Sequence, residues 1–123
     1  ARAFSRIQTM NEMSDKEIFQ IAIPIWNSLN RASNNKNYNE FSKLFSFKLK
    51  EYLTKDRFLE QCNQYQLLTS LIIGAEPIAC IRRSEGVGAI FKQLSSELSG
   101  EFIGNLVLTN VSGSVKILDL TIY

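Results

Sequence analysis

The chain contains no histidine, and only two cysteines, Cys62 and Cys80, occur among its 123 residues. Histidine is the side chain best suited to proton transfer near neutral pH, so its absence removes the most common general acid and base of enzymes. It also removes the most common metal ligand, and two isolated cysteines do not make a metal site. A glycine-rich phosphate-binding motif is absent as well. The sequence therefore predicts no metal and no other cofactor.

Strong net charge and long hydrophobic runs are also missing. The chain has 14 lysines and arginines against 12 aspartates and glutamates, so its net charge is +2. This balance gives no electrostatic reason to expect a nucleic acid or an acidic membrane surface as a partner. No run approaches the roughly 20 apolar residues of a membrane-spanning helix, and the first residues lack the apolar core of a signal peptide. We therefore expect a cytoplasmic protein, with a processed secreted form as the alternative.

The length and composition are those of one globular domain. The chain is 45% hydrophobic and 21% charged, which is ordinary for a protein with a single buried core. The first clear element begins at Ser14, and Met10 and Met13 are both plausible translation starts. We expect residues 1–13 to be a flexible N-terminal extension and residues 14–123 to form the domain.

Helical spacing dominates the first half of the chain. Residues 14–17 read Ser-Asp-Lys-Glu, which is a capping box, and apolar residues three or four apart follow as far as Leu29. A second helix is predicted from about Asn37, and Thr54 is a suitable N-cap for a third.

From Gln66 onward the pattern changes to strands. Gly74 and Pro77 interrupt an apolar stretch, which indicates a bulge or a bend. Residues 110–114 form a hairpin turn between the last two strands. Helices followed by strands are typical of an α+β fold. We therefore predict three N-terminal helices packed on a curved antiparallel sheet of about four strands.

The last predicted strand, residues 115–123, carries apolar side chains on both of its faces. The helices can cover one face of the sheet, and the other face needs separate cover. A homodimer formed through the outer face of the sheet is the simplest arrangement.

Four segments resemble the nuclear transport factor 2-like, or cystatin-like, superfamily. Residues 37–45 (NYNEFSKLF) and 54–58 (TKDRF) resemble the starts of its second and third helices, and residues 100–108 and 116–123 resemble its closing hairpin. The resemblance implies a cone-shaped fold, a pocket between the helices and the concave sheet, and dimerisation through the outer face. Members include isomerases, dehydratases and cyclases, ligand-binding proteins and assembly domains, so the fold does not settle the function.

Asp119 is the strongest candidate for chemistry. Catalytic members of the superfamily place a carboxylate inside the cone, often with a histidine or a tyrosine. A carboxylate buried between two leucines would have a raised pKa suited to a general base, and Tyr38 or Tyr123 would be its partner. The alternative is that Asp119 faces solvent or a second subunit and pairs with a cation such as Lys92 or Arg82.

Aromatic residues provide candidates for the lining of a pocket. Trp26, Tyr38, Phe58 and Phe91 would form apolar walls, and the alternative is that they fill the core. Arg82 would bind a carboxylate if its guanidinium pointed inward, and it would otherwise be solvated.

Cys62 and Cys80 are most simply two buried free thiols, because nothing indicates a secreted disulfide framework. A disulfide between the third helix and an early strand is the alternative.

With no recognisable catalytic group, the sequence favours a domain that binds a small apolar molecule or another protein. An isomerase, dehydratase or cyclase that uses Asp119 is the alternative. A third possibility is an assembly domain within a larger complex.

Overall fold

The computed structural model describes residues 9–123. Four helices, α1 (Asp15–Asn34), α2 (Tyr38–Phe41), α3 (Phe47–Tyr52) and α4 (Lys55–Gln64), precede four strands, β1 (Glu76–Arg82), β2 (Val87–Gln93), β3 (Phe102–Val111) and β4 (Ser114–Ile122). Short 3-10 turns occupy Met10–Glu12 and Gln66–Thr69. The strands form one antiparallel sheet in the order β1-β2-β3-β4. The predicted α+β class, with N-terminal helices packed on a curved antiparallel sheet, is confirmed.

Helix α1 starts where the sequence predicts it. The Ser14 hydroxyl accepts a hydrogen bond from the Glu17 amide at 3.1 Å, and the Glu17 carboxylate accepts one from the Ser14 amide at 2.9 Å. This reciprocal cap pairs two amides that the first turn of a helix leaves free. The buried face of α1 then places Trp26, Leu29 and Asn30 against the sheet.

The predicted second helix is divided into α2 and α3. Between them the backbone leaves the helical path and pairs with β4, because Leu44 O accepts from Ile117 N at 2.7 Å and Ser46 N donates to Ile117 O at 2.8 Å. Ser46 then caps α3 by accepting a hydrogen bond from the Leu49 amide. The first part of the β4 edge is covered in this way.

Two strands contain an extra residue. Ile78 in β1 has no partner in the register with β2, and Leu118 in β4 has none in the register with β3. The first bulge lies next to Pro77, where the sequence indicates one. The second bulge reverses the alternation of side chains for the rest of β4.

The inner face of the sheet, which we define as the face toward the helices, carries the core. Phe91, Leu106, Leu108 and Ile117 are all at most 1% exposed there. Met10 also packs into the core and is 3% exposed, so part of the expected N-terminal extension belongs to the packed domain. Residues 1–8 of that extension lie outside the described residues. Within residues 9–123, no helix is both long and apolar enough to cross a membrane.

Candidate functional site

A cavity of about 810 Å³ lies between the helices and the end of β4. This volume is within the usual range of small-molecule sites. Its walls are mainly apolar and include Trp26, Leu29, Phe41, Leu53, Phe58 and Leu120. The exposed lining residues form what we call the rim, and they are Tyr52, Gln61, Tyr65, Asp119, Thr121 and Tyr123. The cavity is thus open to solvent at one end and enclosed by hydrophobic side chains at the other.

Gln93, at the end of β2, organises the deep end of the cavity. Its side chain is fully buried, and its Nε2 donates to the backbone carbonyls of Ile72 at 2.7 Å and Leu94 at 2.9 Å. Its Oε1 accepts from Trp26 Nε1 at 2.8 Å and from Asn30 Nδ2 at 2.9 Å. We call Trp26, Asn30 and Gln93 the amide network. Because both ends of the Gln93 amide are used, the network fixes the side chains that line the deep end.

Asn30 is the polar residue of this network that faces the cavity. It is 2% exposed and belongs to the cavity lining. Its Nδ2 points at Gln93, and no group in residues 9–123 donates to its Oδ1. In the described chain, the only side-chain polar atom that is both fully enclosed and unpaired is Asn105 Oδ1. The unpaired Asn30 Oδ1 is therefore not completely enclosed by protein atoms. Asn30 therefore offers a free hydrogen-bond acceptor in apolar surroundings.

Two of the predicted pocket aromatics, Trp26 and Phe58, line the cavity, whereas Phe91 does not. The Phe91 ring is stacked behind the indole of Trp26, with the ring centroids 5.2 Å apart and the planes 7° apart. Phe19 packs edge-on against the same ring at 5.6 Å. Phe91 therefore supports Trp26 from the core.

Tyr38 and Arg82 also lie outside the cavity lining. The Tyr38 hydroxyl donates to the Leu53 carbonyl at 2.7 Å, so it ties α2 to the end of α3. Arg82 Nη2 donates to the Met13 carbonyl and to Asp15 Oδ1, each at 2.7 Å. Arg82 therefore links β1 to the start of α1.

Asp119 and Tyr123 are on the rim. Asp119 pairs with Val107, whereas its neighbour Leu120 pairs with the fully buried Leu106. The Asp119 side chain therefore lies on the face opposite to the core. It is exposed, and its Oδ1 accepts a hydrogen bond from the Leu120 amide at 2.9 Å. Tyr123 is 70% exposed.

Sequence reasoning missed Asn30 and Gln93. A signal for Gln93 exists, because it follows Val87, Ala89 and Phe91 at a spacing of two residues and therefore shares their buried face. A polar residue at such a position needs buried partners. Asn30 carries a weaker signal, since it follows Leu29 at the boundary of the apolar stripe of α1.

Both cysteines are free thiols. Cys62 is buried, and its burial raises the pKa of the thiol despite a hydrogen bond to Ser33 and the charge of Lys36. Cys80 is half-buried, and burial followed by the nearby Asp15 charge raises its pKa. In the part of the chain that the structure describes, no group of three or more acidic or cysteine side chains is arranged to hold a metal ion.

The chain matches no model of a known protein family, and its sequence matches no curated protein.

Proposed function

We propose that the protein is a non-catalytic domain that binds a small apolar molecule in the cavity. The observation that carries the proposal is a space of about 810 Å³ with hydrophobic walls and a fixed polar group at its deep end. Such a combination of apolar area and a few positioned polar atoms is typical of ligand sites. The exposed rings of Tyr52 and Tyr65 extend the apolar surface to the rim.

An isomerase, dehydratase or cyclase that acts through Asp119 has less support. A general base for a ligand in the cavity must reach that ligand, and Asp119 lies on the opposite face of β4 with one oxygen bonded to Leu120. Among the described lining residues, no other side chain carries a carboxyl group. The rim position of Tyr123 and the bond from Tyr38 to Leu53 leave neither hydroxyl beside a buried carboxylate.

We further propose that a second copy of the chain covers the outer face of the sheet. Ile81 and Ile103 lie on that face and are 47% and 44% exposed. Gly88 lies on the same face, in the strand between those that carry them, and its lack of a side chain leaves room for close approach at that point. The charge of Lys92 on this face is already paired with Glu76 at 3.5 Å and Glu101 at 3.2 Å. The outer face therefore has an apolar centre, with the charges of Lys116 and Asp119 on the edge strand β4, and this arrangement suits an identical partner.

We also propose that the chain is a member of the nuclear transport factor 2-like superfamily. The support is the order of N-terminal helices and a four-stranded antiparallel meander, together with the four segments that resemble the superfamily.

Titration of the protein into Nile red, an uncharged fluorescent probe, tests the ligand-binding proposal. We expect saturable enhancement of Nile red fluorescence. We also expect at least tenfold weaker binding in Leu120→Trp, because Leu120 is a half-buried lining residue and the larger ring would fill the cavity. Val111→Trp is the control, because Val111 is an exposed residue of the β3–β4 hairpin outside the lining. Absence of saturable binding to the folded wild-type protein would refute the proposal.

A further inference from the structure

The amide network determines which atom of Asn30 faces the cavity. Gln93 Nε2 must point at the carbonyls of Ile72 and Leu94, since these accept its two protons. Gln93 Oε1 must then point at Asn30, and only the Asn30 Nδ2 group can donate to it. Asn30 Oδ1 is left pointing away from Gln93, without a donor in the described chain.

The other polar atoms at the deep end have already used their protons. Trp26 Nε1 donates to Gln93, and the Ser33 hydroxyl donates to the Leu68 carbonyl. Both of these residues line the cavity and are at most 3% exposed. Apart from the second proton of Asn30 Nδ2, the described groups of the deep end therefore offer a ligand an acceptor and no free N–H or O–H donor.

The lining also lacks a charge that would neutralise an ionised ligand. It contains no lysine or arginine among the described residues, and its single carboxylate, on Asp119, is exposed at the rim. Transfer of an ionised group from water into such a cavity has a large free-energy cost unless an opposite charge meets it. An uncharged ligand avoids this cost.

We infer that the cavity selects an uncharged apolar molecule that carries a hydrogen-bond donor, such as a hydroxyl group, and that this donor bonds to Asn30 Oδ1. The inference rests on the proposed ligand-binding function and adds the chemical class of the ligand. A ligand that fills the cavity without a donor leaves Asn30 Oδ1 as a buried acceptor without a partner, which is unfavourable, whereas a donor on the ligand pairs it. An ether or a ketone of the same shape leaves Asn30 Oδ1 unpaired.

Competition with bound Nile red by three probes of matched shape tests this inference. The probes are 4-phenylphenol, which has a donor, 4-methoxybiphenyl, which has only an acceptor, and biphenyl-4-carboxylate, which is ionised at neutral pH. We expect 4-phenylphenol to bind about tenfold more tightly than 4-methoxybiphenyl, as one additional hydrogen bond implies. We expect the carboxylate to bind most weakly.

Asn30→Leu, which removes the acceptor, should reduce the preference for 4-phenylphenol over 4-methoxybiphenyl to less than twofold. Asn27→Leu, one helical turn earlier and outside the lining, is the matched control and should keep the preference. Equal affinities for these two probes in the wild-type protein would overturn the inference even if Asn30→Leu fails to fold. A preference that survives in folded Asn30→Leu would also overturn it. Failure of Nile red and all three probes to bind would overturn the proposed function itself.

Discussion

Gly104 in β3 leaves the space that the indole ring of Trp26 occupies. A Cβ atom at position 104 would lie 2.3 Å from Cζ2 of that ring. Gly104 also pairs with Phe91, and the Phe91 ring stacks on the indole from β2. The sheet therefore accommodates Trp26 at this depth because residue 104 has no side chain.

Gly104→Ala should displace Trp26 and lower the free energy of unfolding by about 1–3 kcal/mol, the usual cost of overpacking a core. Urea denaturation followed by the fluorescence of this single tryptophan measures the effect. Gly88→Ala is the control in the same sheet, because its Cβ would meet the side-chain oxygen of Asn105 at 3.0 Å, where a side chain can adjust. If both variants lost the same free energy of unfolding, a clash with Trp26 could not be the cause of the loss in Gly104→Ala.

Gln93→Leu should lower the free energy of unfolding by about 3 kcal/mol or more. The substitution leaves Trp26 Nε1 and Asn30 Nδ2 without their acceptor and the carbonyls of Ile72 and Leu94 without the amide protons. Each buried group that loses its partner costs about 1–3 kcal/mol. Urea denaturation measures the loss, and a change below about 1 kcal/mol would show that the network contributes little.

Gln93→Glu tests the hydrogen bonds that this side chain accepts separately from those that it donates. The carboxylate still accepts from Trp26 and Asn30, but it donates to a carbonyl only when protonated. Burial favours the protonated form in the folded state, so the free energy of unfolding of this variant should rise between pH 7 and pH 5 relative to the wild type. Parallel pH dependences in the two proteins would contradict this.

The starts of the helices were predictable because local chemistry determines them. Ser14 and Thr54 bond to amides three residues ahead, and this information is contained in four consecutive residues. The division of the predicted second helix was not predictable in this way. It depends on two backbone hydrogen bonds with Ile117, more than 70 residues away in the chain, in which the Leu44 carbonyl accepts and the Ser46 amide donates.

The location of Asp119 depends on a single bulge. Regular alternation places Ile117 and Asp119 on one face of β4, and Ile117 is in the core. The extra residue Leu118 instead brings Leu120 to the face of Ile117 and turns Asp119 away. Nothing in the sequence around Leu118 indicates the bulge, since it contains no glycine or proline. Two aromatic residues of the cavity walls, Trp26 and Phe58, were predictable from the sequence, whereas the boundary of the cavity on β4 was not.

The proposed dimer predicts a loss of self-association when charge is placed on the outer face. Ile81→Lys combined with Ile103→Lys should convert a dimer into a monomer, because apposed copies would bury four unpaired ammonium groups. Light scattering at micromolar concentration measures the mass. Phe47→Lys adds a charge at an exposed apolar position in α3, on the helical side of the domain, and should leave the dimer intact. A wild-type protein that is monomeric in this measurement would refute the proposed interface.

The buried thiol of Cys62 predicts a loss of stability at alkaline pH. Burial raises its pKa above the ordinary value of 9.0, so the folded state holds the thiol proton more tightly than the unfolded state does. The resulting stabilisation is complete below pH 9 and disappears as the pH rises through the folded-state pKa. Under reducing conditions, the free energy of unfolding should therefore fall between pH 8 and pH 10.

Cys62→Ala should show a smaller fall over this interval than the wild type, although it is less stable at pH 8 because it leaves a small cavity. Lysines and tyrosines titrate in both proteins, so the difference between the two pH dependences isolates the thiol. Cys80→Ala is the control for thiol removal at a less buried position. The pKa of the Cys80 thiol is also raised, so Cys80 contributes to the fall in the free energy of unfolding. The contribution of Cys62 should be larger, because its side chain is only 4% exposed. Identical pH dependences in wild type and Cys62→Ala would contradict the burial argument.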